Sequence, residues 1–224
     1  MRESVRKGFS LCVPICVGVF AYAGIFGVLA AAKGVPASLV VLMGALVFSG
    51  SAQFVIVDMW GSASLWTVLG AVASMNLRYL LICASVEPLF AGKSLFQRMF
   101  RVHLVADENW AVAMAAQTGE SEKADILLAG GIALMLSWLA GSLAGRFAGG
   151  WIPAPERFGL DFAFPALFAA LVVSLWKGKQ DVLPFIVAAS VTAAVDFVFG
   201  GSWSVLAGGV CGAAATGWKG KNRS

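Results

Sequence analysis

Long apolar segments separated by short polar connections run through the whole chain. Most of them are long enough for a helix that crosses the hydrocarbon core of a bilayer, which needs about 20 residues. The chain has 224 residues, and this length predicts an all-α polytopic membrane protein with about seven to eight transmembrane segments in a single transmembrane domain, residues 1–224. The apolar segments are Phe9–Ala32, Leu39–Val57, Leu65–Val86, Leu104–Ala116, Ile126–Phe147, Phe158–Trp176, Val182–Phe199 and Trp203–Trp218.

The composition agrees with a membrane protein. Apolar residues make up 59% of the chain and charged residues 12%, whereas a soluble domain is roughly half apolar and a quarter charged. The first apolar segment is longer than that of a cleavable signal, so we predict that it is the first transmembrane helix. These features predict a multi-pass protein of a cytoplasmic (inner) membrane, surrounded by membrane lipids.

The net charge of +4 comes from basic residues at the chain ends and in short loops. Such placement is typical of the charges that set membrane topology. It does not provide the folded basic face that nucleic acid binding requires, so no nucleic acid partner is expected. Three full spans would put the N-terminal arginines and the loop Lys93–Arg101 on opposite sides. We therefore leave the orientation open and expect one early segment to be re-entrant or broken.

The second apolar segment contains a polar run, Phe-Ser-Gly-Ser-Ala-Gln-Phe, at Phe48–Phe54. Polar side chains inside a membrane need partners, and a glycine between two serines weakens the helix. One interpretation is a broken helix that lines a substrate site, with Ser49, Gly50, Ser51 and Gln53 as binding residues. The alternative is helix packing, in which the Ser and Gly residues contact a neighbouring helix.

A faint internal repeat relates the two halves of the chain. Residues 9–117 and 126–218 are the predicted repeats, and Pro165 in the second half falls opposite Ser51 in the first. Paired interrupted segments indicate a transporter's binding site, so we predict that Pro165 lines its other side. A shift of 114 residues aligns Gly27 with Gly141, Phe48 with Phe162, Ala52 with Ala166 and Phe54 with Phe168.

Two polar residues, Asn76 and Arg78, lie in the middle of the third apolar segment. A charged group at the bilayer centre costs about 2.5–3.5 kcal/mol on insertion scales, so Arg78 needs a partner or a wet cavity. We interpret both residues as part of the substrate site, where Arg78 supplies a fixed positive charge for a substrate carboxylate or a titrating acid. A structural ion pair, or an interfacial arginine that reaches the headgroups, is the alternative.

Four residues are candidates for proton coupling. His103 stands four residues before Asp107, which would place both on one face of a helix, and a His–Asp pair can relay protons near neutral pH. Asp107 and Glu108 begin the fourth apolar segment, where capping of the helix is the alternative role. Asp196 lies near the end of the seventh segment and is a candidate partner of Arg78 or a proton carrier.

Several classes of chemistry are not expected from this chain. The four cysteines all lie in apolar segments, His103 is the single histidine, and no zinc-site spacing occurs, so we expect no metal site. Catalytic constellations, phosphate-binding loops and dinucleotide fingerprints are missing from the sequence. We therefore expect neither an enzyme nor a cofactor, and transport would draw on an ion or solute gradient.

Four motifs taken in order resemble the AzlC family over essentially the whole chain. They are Phe48–Phe54, Met75–Tyr79, Asp107-Glu108 and Leu160–Leu167. The resemblance implies the large subunit of a branched-chain amino acid exporter that works with a small hydrophobic AzlD-type subunit of about four spans. It implies secondary transport of leucine, isoleucine, valine or related neutral amino acids out of a bacterial cell.

The sequence thus predicts a proton-coupled amino acid exporter with a small membrane partner. Serine and glutamine donors and helix ends suit the charged groups of an amino acid, and apolar walls suit a branched side chain. A transporter or channel for another small neutral solute, or a membrane scaffold subunit without transport activity, are the alternatives.

Overall fold

The computed structural model describes residues 2–151, 169, 172–173, 176, 178–199 and 203–221, and helices account for most of them. A short 3-10 helix occupies Glu87–Phe90. The α-helices are α1 (Arg2–Ala32), α2 (Ala37–Leu46), α3 (Gly50–Asp58), α4 (Leu65–Asn76), α5 (Arg78–Val86), α6 (Leu95–His103), α7 (Asp107–Ala115), α8 (Glu120–Gly149), α9 (Val182–Phe199) and α10 (Trp203–Lys221).

Two of the described helices, α1 and α8, are long and apolar enough to cross a membrane, with 30 residues each in the tested stretches. A third crossing is added if α4 and the following Arg78–Phe90 helix count as one broken span. These findings agree with an all-helical membrane protein, whereas the number of seven to eight segments stays a prediction. The sixth apolar segment, Phe158–Trp176, lies mostly outside the described residues, and so does Pro165.

The chain divides into two compact units. The first contains α1–α3 and α5–α8, and the second contains most of α4 together with α9 and α10. This division follows spatial contacts and does not test the predicted repeats 9–117 and 126–218, which stay a prediction.

Helices α1 and α8 form the main packing contact of the first unit. A Cβ atom on Gly27 would lie 2.1 Å from the Ser142 carbonyl oxygen, and one on Gly145 would lie 1.9 Å from the Gly24 carbonyl oxygen. Only glycine permits backbones to approach this closely, as small residues do at membrane helix interfaces. The spacing of Gly141 and Gly145 therefore serves packing within the chain. We call α1 and α8 the packed pair.

Helices α9 and α10 of the second unit also approach each other closely at glycine residues. A Cβ atom on Gly208 of α10 would lie 1.9 Å from Thr192 Oγ1 of α9, and one on Gly212 would lie 2.9 Å from Ala188 Cβ. The two glycines stand one helical turn apart, so they line one face of α10. Their spacing thus also serves contacts within the chain.

Two of the predicted apolar segments are interrupted, and a third break lies at the start of the fourth segment. The second segment is broken at residues 47–49, immediately before Gly50, which confirms the predicted interruption of this helix. A break at Leu77, between α4 and α5, was not predicted. Residues 104–106 separate α6 from α7. Each break frees backbone N–H and C=O groups that need other partners at membrane depth.

Candidate functional site

The break between α2 and α3 is held together by side chains that take over freed carbonyl groups. His103 Nε2 lies 2.7 Å from the Ala45 carbonyl oxygen and donates to it, since a carbonyl only accepts. Gln53 Nε2 donates to the Val47 carbonyl oxygen at 2.6 Å. A continuous helix would satisfy both carbonyls through the backbone. The two side chains therefore stabilise the broken form of the segment.

The serines of the polar run face the second break, at Leu77. Ser49 Oγ donates to Asn76 Oδ1 at 2.8 Å, and Arg78 Nη2 donates to Ser51 Oγ at 3.0 Å. The Tyr79 hydroxyl lies beside Ser49. Residues on both sides of Leu77 thus bind residues at the start of α3, and the two breaks meet through their polar side chains.

Arg78 also bonds to the third break. Its Nη1 lies 2.9 Å from Asp107 Oδ2, and both side chains are about one third exposed, at 35% and 36%. The guanidinium Nε is buried and has no hydrogen-bond partner among the described residues. Arg78 therefore has the partner expected of a charge at membrane depth and keeps one free donor. We call Ser49, Ser51, Asn76, Arg78, Tyr79 and Asp107 the polar cluster.

Asn109 fixes the position of the two acids at the start of α7. Its side chain is fully buried, accepts from the Ala106 backbone N–H at 2.7 Å, and donates to the Leu104 and Leu127 carbonyl oxygens at 2.8 Å each. The N-cap residue of α7 is Ala106, so Asp107 and Glu108 lie in the first turn. Carboxylates are stabilised there by the positive end of the helix dipole.

Glu108 differs from Asp107 in its surroundings. Its side chain is exposed, and it makes no ion pair within the described part of the chain. Arg78 and Asp107 lie within electrostatic range of its carboxylate. The site therefore contains two neighbouring carboxylates but only one of them has a cation in direct contact.

Aromatic side chains of α1 and α8 pack against the polar run. Trp138 of α8 donates from Nε1 to Gln53 Oε1 at 3.0 Å, and a Cβ atom on Gly50 would lie 2.9 Å from the Trp138 ring. Tyr22 of α1 stacks on Phe54 with ring centroids 4.7 Å apart. Phe26 packs against both Phe54 and Trp138. Gly50 is thus required where α3 approaches an indole ring.

The Tyr22 hydroxyl is buried and has no hydrogen-bond partner among the described residues. Arg78 and Glu108 both lie within electrostatic range of it. Buried polar groups are nearly always paired, so an orphan hydroxyl next to charged groups requires an explanation such as a ligand or an ordered water. Tyr22 and Trp138 were not indicated by the sequence patterns, because aromatic residues in apolar segments are typical of ordinary packing. Asn109 was not indicated either.

The structure brings together most of the predicted site residues of the first half. Ser49, Ser51, Asn76, Arg78 and Asp107 are joined by direct contacts, with Glu108 beside them. Gln53 is also part of this region, but it is fully buried and both of its polar groups bond to protein. Gln53 therefore holds the broken helix in contact with Trp138. Its side-chain nitrogen and oxygen each already bond to a protein group.

His103 and Asp107 do not form the pair that we predicted on one helical face. α6 ends at His103 and α7 begins at Asp107, so no continuous helix connects them. His103 instead bonds to Ala45, and Asp107 bonds to Arg78. The prediction was wrong because Asn109 satisfies the backbone of the intervening turn and so stabilises the interruption.

Two predicted residues belong to the second unit or lie outside the described residues. Asp196 is an exposed residue of α9, in the second unit. Pro165 lies outside the described residues. Their predicted roles as proton carrier and as the second wall of the site therefore stay predictions.

Comparisons with known proteins give two matches for the chain. The model of the family described as "AzlC protein" matches residues 14–152, which contain every residue of the polar cluster. The branched-chain amino acid transport protein AzlC of Bacillus subtilis (strain 168) is 23% identical over 211 residues, which cover 90% of this chain and 79% of that protein. No solved structure matches the chain. Because the family model spans more than half of its length, the chain belongs to the AzlC family.

Proposed function

We propose that this chain is the large subunit of a bacterial inner-membrane exporter of branched-chain amino acids. Membership of the AzlC family and the similarity to a branched-chain amino acid transport protein support a transporter role. The proposal includes three further features: export out of the cell, coupling of transport to protons, and a small hydrophobic partner subunit of the AzlD type. Leucine, isoleucine and valine are the proposed substrates.

The single observation that carries the proposal is the meeting of helix breaks at the polar cluster. Arg78 contacts Ser51 and Asp107, and its Nε remains unpaired among the described residues. A guanidinium with a free donor is well suited to a carboxylate. The first backbone N–H groups of α3 have no side-chain cap, so the helix N-terminus adds a second group of donors for the same anion.

The remaining parts of the proposed site suit the rest of an amino acid. Tyr22, Phe54 and Trp138 form an aromatic wall behind the polar run, which suits a branched apolar side chain. Ser49 and Asn76 add neutral polar groups. Gln53 and His103 act as positioning residues that hold the broken helix, and Pro165 remains the proposed opposite wall.

Efflux of radiolabelled valine from loaded proteoliposomes tests the substrate. We expect valine efflux along an imposed gradient, faster when the small subunit is reconstituted together with this chain. Arg98→Gln serves as a control for protein handling, because Arg98 pairs with Glu87 outside the polar cluster. Absence of any branched-chain amino acid flux from the co-reconstituted proteins would refute the proposed substrate.

Arg78→Gln separates an amino acid site from a site for other small solutes. If Arg78 binds the substrate carboxylate, the variant should lose flux of valine and retain any leak of neutral solutes that lack a carboxylate. Equal loss of both kinds of flux would favour a general pore over an amino acid site. Unchanged valine flux would remove Arg78 from the binding site.

A further inference from the structure

Helix α6 (Leu95–His103) separates apolar from polar side chains around its axis. Successive residues of an α-helix are about 100° apart, so residues i, i+1, i+4 and i+5 share one side. The apolar face of α6 consists of Leu95, Phe96, Met99 and Phe100, and the polar face consists of Gln97, Arg98 and Arg101. Its charged residues are all basic. α6 is therefore a basic amphipathic helix.

The polar face of α6 is the side that contacts the protein. Arg98 Nε donates to the Phe90 carbonyl oxygen at 3.3 Å, and its Nη2 pairs with Glu87. The Arg101 guanidinium lies 5.9 Å from the centre of the Phe90 ring. Both arginines thus face the 3-10 helix that precedes α6, and the apolar face is turned away from it.

The apolar face of α6 is open to the surroundings, since its four side chains are between 55% and 82% exposed. A helix on the surface of a soluble protein is oriented the other way, with its apolar side buried and its charges in water. Single exposed apolar residues are common, whereas four bulky ones side by side form a patch that marks an interaction surface. The orientation of α6 therefore indicates an apolar medium next to it.

The length and the charge of α6 identify this medium as the edge of an anionic phospholipid layer. Its nine residues extend about 14 Å, whereas the hydrocarbon core is about 30 Å thick, so α6 cannot cross it. Lys93 and Arg101 make no ion pair among the described residues, and the segment 91–103 contains no acid. Free basic groups beside an exposed apolar face are complementary to anionic headgroups above acyl chains.

Contacts within the first unit hold both ends of α6. At its start, the Ser94 and Gln97 side chains each accept a hydrogen bond from the other residue's backbone N–H, at 3.4 and 3.3 Å, which is a capping box. At its end, His103 bonds to the Ala45 carbonyl oxygen, and the following residues 104–106 are buried. The direction of the apolar face is therefore fixed by the protein.

We propose that α6 is an interfacial helix whose apolar face lies among phospholipid acyl chains while Lys93 and Arg101 bind anionic headgroups. The inference goes beyond the proposed function and holds whatever solute the protein carries. Long basic side chains reach headgroups with their charged ends while their stems stay on apolar surface. Because His103 ends α6 and also bonds to Ala45 at the break before α3, one short helix joins the lipid contact to that break.

Hydrogen–deuterium exchange of the full chain in nanodiscs tests the headgroup contact. Two membranes are compared: phosphatidylcholine alone, and an equal mixture of phosphatidylcholine and phosphatidylglycerol. We expect the amides of Leu95–His103 to exchange about tenfold more slowly in the mixture, since each basic residue at an anionic surface contributes about fivefold. Peptides from the centre of α8 should exchange equally in both membranes. Equal exchange of α6 in the two membranes would overturn the proposal.

Two variants that each remove one positive charge locate the effect. Lys93→Gln should make the difference between the two membranes about fivefold smaller. Lys123→Gln is the matched control, because Lys123 lies on α8 between acidic residues at positions 122 and 125 and should not attract anionic lipid. An equal reduction in both variants would show a general effect of net charge, and the headgroup site at α6 would be wrong.

Two variants of Phe96 test the acyl-chain contact. Phe96 is 82% exposed, so its replacement removes little packing against protein. If it lies among acyl chains, Phe96→Ser should speed the exchange of α6 about tenfold in both membranes, whereas Phe96→Leu should resemble the wild type. Unchanged exchange in Phe96→Ser would overturn the proposal.

A protein partner on the same face gives a different result. If α6 becomes protected only when the small hydrophobic subunit is reconstituted with this chain, and equally in both membranes, the face is a protein interface and the proposal fails. Exchange of α8 shows whether each variant is folded. Because the wild-type comparison of the two membranes needs no variant, it decides the headgroup contact even if Phe96→Ser does not fold.

Discussion

The packed pair and the polar cluster lie in the same unit but satisfy their backbone hydrogen bonds in different ways. α1 and α8 are uninterrupted, and glycines bring their backbones into direct contact. The polar cluster stands where helices stop, and side chains replace the missing backbone hydrogen bonds. Continuous helices satisfy their own backbone, so they need only shape to associate, whereas broken helices need specific polar partners.

This difference predicts how substitutions act. Changes in the packed pair should alter stability with little specificity for substrate, because its glycine contacts are close backbone contacts between two uninterrupted helices. Changes in the polar cluster should alter transport more than stability, because Arg78 Nε in the cluster, like the neighbouring Tyr22 hydroxyl of α1, has no hydrogen-bond partner among the described residues. Four substitutions test this contrast.

The largest effect is expected for Gly145→Ala in the packed pair. The new Cβ atom would lie 1.9 Å from the Gly24 carbonyl oxygen, so one helix must move, and we expect a loss of about 3 kcal/mol in the free energy of unfolding. Gly18→Ala is the matched control, because its Cβ would meet nothing within 4 Å. Thermal unfolding in detergent measures both, and equal stability of the two variants would contradict the packing role.

Arg78→Gln should produce the largest loss of transport. A hydrogen bond between charged groups contributes up to about 3 kcal/mol, which corresponds to roughly a hundredfold in rate. The partly exposed pair with Asp107 should contribute only about 1 kcal/mol to folding. Initial rates of valine flux and thermal unfolding are compared with those of Arg98→Gln. A variant that loses stability and flux in equal measure would show that Arg78 is structural.

Gln53→Leu should mainly affect stability, although Gln53 lies in the polar run. Its side chain is fully buried, and loss of the hydrogen bonds to Val47 and Trp138 should lower the unfolding free energy by about 2 kcal/mol. Gln53→Glu retains an acceptor for Trp138 and should recover part of that loss. If Gln53→Leu keeps wild-type stability and loses affinity for valine, Gln53 binds substrate and the bracing role is wrong.

The sequence predicted the helical class and the break in the second segment because both depend on local composition. Apolar length defines the spans, and Ser49, Gly50 and Ser51 mark a weak point in a helix. Arg78 was recognised as a residue that needs a partner, and one of its two interpretations, an ion pair, is present in the structure. These predictions required no knowledge of distant contacts.

The partners could not be predicted because they depend on tertiary contacts between residues far apart in the chain. Asn109 reaches the Leu104 and Leu127 carbonyls, and His103 reaches Ala45 across 58 positions. A histidine four residues before an aspartate is typical of one helical face, yet a buried asparagine ended that helix instead. Trp138 and Tyr22 resemble ordinary apolar packing in the sequence, and only their contacts with Gln53 and Phe54 connect them to the site.

The smallest change, Tyr22→Phe, tests the unused hydroxyl of the site. The Tyr22 hydroxyl has no partner among the described residues, so its removal should leave the free energy of unfolding unchanged or slightly higher. If substrate or a bound water uses the hydroxyl, the KM for valine should rise about fivefold to tenfold, as expected for one lost hydrogen bond.

The only other tyrosine of the chain provides the matched control for this last change. The Tyr79 hydroxyl lies beside Ser49, and a hydrogen bond between the two would contribute about 1 kcal/mol. Tyr79→Phe should therefore lower the Tm by about 2–4 °C. Tyr22→Phe should raise KM without changing the Tm, and Tyr79→Phe should change the Tm. If both variants lower the Tm equally and leave KM unchanged, the Tyr22 hydroxyl serves the packing of α1 and does not bind substrate.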